Sequence, residues 1–320
     1  MNPVRLVLAA VTAATLSAGA PAGAAPSDPV AAPPNDGNTV VYTLQPSTHG
    51  NPEGVAWDER TDQFFVGTVG DGTIYRGRLS DETVRPFIEG APGASAIGMK
   101  VFRGRLYVAG GPTGKITVYD IGTRGQVASF DTGAGGFLND LVVTGDGDVY
   151  VTDSFRPTLW HVTPAQVLAG QGIPQAIPVG PEIPYLAGFN LNGVVGLSGG
   201  RELVVVNSAS GRLFRIVVDP DAAQGRTISP VDAPPLTGGD GMVVDRGRLI
   251  VVIGDPATLT FLSLSADHLR ARTDEVRTDP TLRGPSTVAR AADRYLVVNA
   301  DFAVSRTPFT VSGLPRHRPG

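Results

Sequence analysis

The chain has 320 residues, 41 of them glycine and 27 proline, with no cysteine and a formal net charge of −4. No Lys/Arg cluster offers a footprint for nucleic acid, and the lack of thiols excludes cysteine catalysis, disulfides and zinc–thiolate centres. A small-molecule substrate is the partner to expect, and the sequence does not speak to oligomeric state. In chain order, Arg5, the apolar stretch Leu6–Leu16 and Ala22-Gly23-Ala24 read as a secretory signal over residues 1–24, which predicts a secreted, extracytoplasmic protein. The Ala/Pro-rich residues 25–38 read as a disordered leader. No segment reaches the ~20 consecutive apolar residues of a membrane span.

From residue 39 onward the pattern is all-β and repetitive. A short strand, Thr39–Leu44, precedes six copies of one phrase headed by Glu53, Gly98, Asn139, Asn192, Asp240 and Ser286, about 41 to 53 residues apart. Each head opens an apolar strand, and a turn then leads to a second run such as Phe64-Phe65-Val66 or Leu203-Val204-Val205-Val206. Third strands follow at Thr73–Tyr75, Lys115–Tyr119, Leu159–Val162, Arg212–Val217 and Leu259–Leu264, and an outermost fourth is poorly marked, read in the third repeat at Ala176–Val179. This is the period of a propeller blade, and it predicts a six-bladed β-propeller over residues 39–313 with a C-terminal tail at 314–320. The last repeat is short, so Thr39–Leu44 is expected to supply its missing strand and close the ring, which removes exposed sheet edges. The longest insertions, Pro164–Asn190 and Asp219–Gly239, precede axial heads and are expected as loops over that face.

Heads that start innermost strands crowd around the axis, and four of them carry oxygen donors: Glu53, Asn139, Asn192 and Asp240. A carboxylate at the start of a buried strand is costly unless it is paired or metal-bound, and no Arg or Lys occupies a head. Two carboxylates and two amides suit a hard cation, calcium first, with other oxygen-preferring divalent ions as alternatives. Zinc would prefer histidine or thiolate, and the four histidines lie in unrelated contexts. Singly, each such head is a common turn former. Their recurrence at one position of the repeat points to a shared site. Asp153 and Asn207 end second strands and read as turn residues. Asp140, beside Asn139, reads either as a brace for the site or as a ligand for a second ion.

The segments Asn51-Pro52-Glu53-Gly54-Val55-Ala56-Trp57-Asp58, Leu138-Asn139-Asp140, Leu191-Asn192-Gly193 and Gly239-Asp240-Gly241-Met242 resemble the motifs of the SMP-30/gluconolactonase family, six-bladed propellers distantly related to the paraoxonases. The resemblance spans roughly residues 40 to 300. It implies a divalent ion, usually calcium, on the axis, held by Glu53, Asn192 and Asp240. Asn139 is implied to contact ion, water or substrate, and Asp240 is the candidate general base in hydrolysis of a lactone or similar ester. One departure stands out. The sugar-lactone hydrolases carry a substrate-binding arginine two residues before the position of Asn139, and here that residue is Phe137. Phe137 either lines a pocket for a more apolar lactone or packs under a loop. The expected function is therefore an exported, metal-dependent lactone or ester hydrolase. The alternative is a secreted, non-catalytic propeller whose axial calcium is structural.

Overall fold

The computed structural model describes residues 39–197, 199–219 and 225–316. The expected signal segment, the leader and the last four residues of the tail lie outside these. The described residues form twenty-four strands and one short helix. Strand β1 (Val40–Leu44) is followed by β2 (Pro52–Asp58), β3 (Gln63–Thr68), β4 (Ile74–Arg78) and β5 (Asp81–Ile88), then by β6 (Met99–Phe102), β7 (Arg105–Ala109), β8 (Lys115–Asp120) and β9 (Gln126–Asp131). Next come β10 (Leu138–Val143), β11 (Val149–Asp153), β12 (Thr158–Val162), helix α1 (Pro164–Ala169) and β13 (Gln175–Pro178). The chain continues through β14 (Leu191–Leu197), β15 (Glu202–Asn207), β16 (Arg212–Val218) and β17 (Arg226–Val231). It finishes with β18 (Gly239–Asp245), β19 (Arg248–Ile253), β20 (Thr258–Leu264), β21 (Ala271–Arg277), β22 (Pro285–Ala291), β23 (Arg294–Asn299) and β24 (Thr310–Pro315).

Four sheets are four-stranded meanders in chain order, and the fifth is eight-stranded, ordered β2-β3-β4-β5-β1-β24-β23-β22. In that sheet β1 pairs antiparallel with β24, from Val40 opposite Gly313 to Thr43 opposite Thr310, and meets β5 in parallel at Thr43 and Leu44. The first strands of successive groups, β2, β6, β10, β14, β18 and β22, touch in turn, and β22 returns to β2. The sheets therefore form a ring. Strand β24 runs two residues beyond the expected boundary at 313, and Arg316 just after it is ion-paired to buried Asp245 at 2.7 Å.

The ring explains the unbroken apolar runs in the second strands. Each inter-sheet space is filled from both sides, so successive side chains of one strand enter two different cores. Leu203 and Val205 pack between the third and fourth groups, whereas Val204 and Val206 pack between the fourth and fifth. Phe64 and Val66 face the β1/β24 side, and Phe65 faces the second group. Outer strands have one face in solvent and carry polar residues, which is why they were faint in the sequence. The two segments expected as loops consequently contain the edge strands β13 and β17, and the first also holds α1. Thr163 caps that helix in a reciprocal box with Gln166. Within these two segments, residues 179–190 and 232–238 are the loops that lead from the edge strands to the next heads.

Candidate functional site

Five of the six first strands carry the same irregularity. The register slips between Pro52 and Val55, Leu138 and Leu141, Leu191 and Val194, Gly239 and Met242, and Pro285 and Val288. A bulge sets two residues opposite one on the partner strand and re-aims their side chains. In each case the first bulge residue is a predicted head: Glu53, Asn139, Asn192, Asp240 or Ser286. The second repeat corrects the sequence reading by one position. Met99 pairs with Val108 as Val55 does with Val66, so Gly98 matches Gly54 and the true head is the buried, apolar Ile97.

The residue after each head lies against the next group, which is why it is so often glycine. A Cβ on Gly54 would fall 1.9 Å from the Ile97 carbonyl oxygen, on Gly98 2.4 Å from that of Asn139, and on Gly193 2.3 Å from that of Asp240. A Cβ on Gly241 would collide with Thr287, and Ser286 Oγ donates to the Glu53 carbonyl at 2.8 Å. Between the third and fourth groups the link is Thr152, whose hydroxyl donates to the Asn192 carbonyl at 2.7 Å. Contacts among the heads thus run around the whole ring, placing Glu53, Asn139, Asn192 and Asp240 about one axis.

Glu53, Asn139 and Asn192 are all under a tenth exposed, while Asp240 keeps part of its surface accessible. The two amide oxygens, Asn139 Oδ1 and Asn192 Oδ1, are buried without any hydrogen-bond partner. The orientation of Asn139 follows from its neighbours. Ser154 spends its one proton on the Leu191 carbonyl at 2.6 Å, so its oxygen must accept, and Asn139 Nδ2 donates to it at 3.0 Å. That leaves Oδ1 for the axis. An unpaired buried acceptor costs roughly 1–3 kcal/mol, and two in one place call for a donor or a cation.

Burial, with the charges of Asp240 and Asp140 added, pushes Glu53 well above the usual carboxylate range, and Lys100 opposes this. Burial and Asp140 likewise push Asp240 up to about 8, against hydrogen bonds from the Asn192 side chain and the Gly241 backbone. Lys100 was missed in the sequence. It sits on β6 with its Nζ 3.0 Å from Asp140, at the repeat position filled elsewhere by Ala56, Val142, Val195, Val243 and Ala289. Its being the lone charge in that column was the available signal. Asp140 acts as a brace, also accepting from the Leu141 N–H at 2.8 Å. With all three carboxylates ionised, one ammonium would leave the axis negative, and a divalent cation would relieve that. Glu53, Asn139, Asn192 and Asp240 therefore fit calcium, an ion that accepts amide and carboxylate oxygens together. Among the described residues no three His, Cys, Asp or Glu side chains are grouped to hold a metal, so the amides are essential to this set. The described histidines are engaged elsewhere: His49 with Asp71, His161 with Asp148 and His268 with Glu202.

Phe137 stands beside the site in a triangle of rings that the sequence did not anticipate. Its centroid is 5.5 Å from Phe155 and 5.0 Å from Phe189, and the latter two are 5.1 Å apart. Asp153 holds this arrangement by accepting from the backbone N–H of Phe137 at 2.9 Å, of Phe155 at 3.1 Å and of Arg156 at 3.0 Å. Asn207 likewise anchors a turn, accepting from the Ser210 N–H and donating to the Pro184 carbonyl. Both play the structural part read from their positions. An open depression of about 600 Å³ between β17 and the β20–β21 hairpin, lined by Asp232, Pro234 and Arg270 among others, contains none of the axial residues.

A comparison of folds decides the architecture. At TM-score 0.61 the structure matches a gluconolactonase from Xanthomonas campestris, covering 87% of this chain and 90% of that one at 18% identity. The chain is built as a β-propeller. The calcium-binding protein regucalcin of Agrobacterium tumefaciens shares this propeller at TM-score 0.59 and 15% identity over 84% of this chain and 92% of its own. So does the allergen Mala s 1 of Malassezia sympodialis, at TM-score 0.63 and 12% identity over 86% and 95%. No protein-family model matches the chain, and no curated protein is similar enough in sequence to serve as a relative. At these identities the likeness is one of fold, and it agrees with the gluconolactonase and regucalcin type of propeller that the motifs resemble. Among the described residues no helix is long and apolar enough to cross a membrane.

Proposed function

We propose that this protein is an exported, calcium-dependent hydrolase of lactones or related esters. In this reading it is a six-bladed propeller whose last blade is completed by β1. The observation that carries the reading is the pair of partnerless amide oxygens, Asn139 Oδ1 and Asn192 Oδ1, set on one axis with two carboxylates of raised proton affinity. Glu53, Asn139, Asn192 and Asp240 would hold the ion. Calcium bound there would supply Lewis acidity for a substrate carbonyl and for the negative charge that develops on it.

The chain's own groups account for the rest. Asp240 is the most accessible of the four and accepts the proton of the attacking water, while the Asn192 side chain and the Gly241 N–H fix its carboxylate. Lys100 pairs with Asp140 beside the ring and offsets part of the negative field that Asp140 and Asp240 set up at Glu53. Phe137 gives the entrance an apolar wall in place of a guanidinium. A second reading, a ligand-binding propeller with structural calcium, draws on that same loss of an arginine and on the breadth of functions propellers host.

The test is hydrolysis of a panel of sugar-derived and aliphatic lactones by EDTA-stripped protein, with and without added calcium. Calcium-restored turnover that vanishes in Asp240→Ala supports the hydrolase. Tight calcium binding without turnover of any lactone sinks it in favour of the binding propeller.

A further inference from the structure

Resting on the hydrolase reading, we infer that Phe155 and Phe189, with Phe137, form a specificity clamp that selects substrates bearing an alkyl chain on the lactone ring. The polar heads do not encircle the axis evenly. Ile97 interrupts them next to Asn139, and Gly111 lies between Ile97 and Phe137: a Cβ there would sit 2.8 Å from Ile97 Cγ1 and 3.5 Å from the Phe137 ring. The side of the site between the second and fourth sheets is therefore apolar from Ile97 through Phe137 to Phe155 and Phe189.

The rings are attached directly to the polar machinery. Phe137 is two residues before Asn139, Phe189 three before Asn192, and Phe155 follows Ser154, the residue that orients the Asn139 amide. They are also held firmly. The Asn190 N–H donates to the Ser154 carbonyl at 3.1 Å, the Tyr185 hydroxyl donates to the Asp153 carbonyl at 2.6 Å, and Asn190 Nδ2 closes the 186–190 turn on the Leu186 carbonyl at 3.0 Å. Arg226, itself nearly buried, ties the base of this loop through a fork onto Glu182 at 2.8 and 3.0 Å. Rings recruited only to fill space would be covered, yet Phe155 is 49% exposed, and Leu186 in the same loop system is 52% exposed. A fixed, half-open aromatic surface at the rim of an oxygen-lined site suits a ligand with a polar ring and an apolar tail. A polyhydroxylated sugar lactone would lose water from its hydroxyls against these rings and gain no donor or acceptor.

The experiment compares γ-butyrolactone with the γ-lactone bearing a pentyl substituent, using calcium-loaded protein. In parallel, calorimetry measures binding of the two matching γ-lactams, which resist hydrolysis. Each buried methylene contributes roughly three- to fourfold, so a preference of at least about tenfold for the pentyl compound is expected in kcat/KM and in lactam affinity. Phe155→Ala should collapse that ratio to near one, and Phe155→Leu should restore most of it. A purely structural role would lower both substrates by the same factor and leave the ratio untouched. Turnover without chain preference, or with a preference for gluconolactone, overturns the clamp and leaves the hydrolase standing. Chain-dependent lactam binding that depends on Phe155, with no turnover of either lactone, upholds the clamp and removes the hydrolase. Absence of both effects removes both.

Discussion

The sharpest physical test concerns Asp240 in the metal-free protein. Burial and Asp140 lift its pKa from 3.8 to about 8, so the folded chain holds a proton that the unfolded chain releases. Such a group favours the fold fully below the unfolded value and loses that advantage as pH rises through the folded one. Other carboxylates run the opposite way. Although burial pushes Asp153 and Asp245 up, hydrogen bonds from Phe137 and Arg156 on the first and from Arg316 on the second hold them below the usual value. Their gain is complete by about pH 5, so EDTA-treated protein should become less stable from pH 5 to 9, with Glu53 adding to the same trend. At about 1.4 kcal/mol per pKa unit the ceiling for Asp240 is roughly 5–6 kcal/mol. Its partial exposure brings the expectation down to about 2 kcal/mol, or some 4–8 °C in melting temperature for a domain of this size. Asp240→Asn should therefore raise the melting temperature of EDTA-treated protein at pH 8 and flatten its pH dependence. The same substitution should abolish the stabilisation that calcium gives the parent, because an ion bound only by the folded chain stabilises it by mass action. A metal-free parent that is flat or gains stability from pH 6 to 9, or an Asn variant less stable than the parent at pH 8, would refute the reasoning.

Three further outcomes are expected. Asn139→Ala and Asn192→Ala should each weaken calcium binding by calorimetry by about tenfold or more, at a metal-free cost of about 1 kcal/mol, since each removes a partnerless oxygen but also one amide N–H hydrogen bond, to Ser154 Oγ in the first case and to Asp240 in the second. Tyr42→Ala, on the strand between β5 and β24, should cost about 3–5 kcal/mol in urea unfolding, because the ring is fully buried and packs edge-on against Phe64 at 5.0 Å. Arg316→Met should cost about 3 kcal/mol, leaving the buried Asp245 with Tyr295 as its main donor at 2.7 Å. An effect under ~0.5 kcal/mol would show that Arg316 does not hold Asp245 in the folded ring.

Much of this was legible in the chain. The 41–53-residue period, the unbroken apolar second strands and the recurring heads followed from a simple constraint. Each sheet has two buried faces, and each first strand must bring one residue to the axis. That pattern is local, so the sequence carries it. Of the edge strands, β13 was faint but legible at Ala176–Val179, one residue late, whereas β17 was not legible, because half of each faces water, which dilutes the apolar signal. The head of the second repeat was placed one residue late because Ile97 is apolar and so did not stand out as the other heads do.

The site divides in the same way. Glu53, Asn139, Asn192 and Asp240 were chosen from their own residue types and shared position. Their convergence, the spare valence of the two amides and the raised proton affinity of the two carboxylates arise only when strands from four repeats meet. Lys100 reaches Asp140 from another sheet, and Phe155 and Phe189 join Phe137 from loops 18 and 52 residues away along the chain. Repeats and side-chain chemistry are properties of short segments, and the sequence alone determined them. Burial, electrostatic coupling and the aromatic rim depend on which segments the closed ring brings together, and only the tertiary structure decided those.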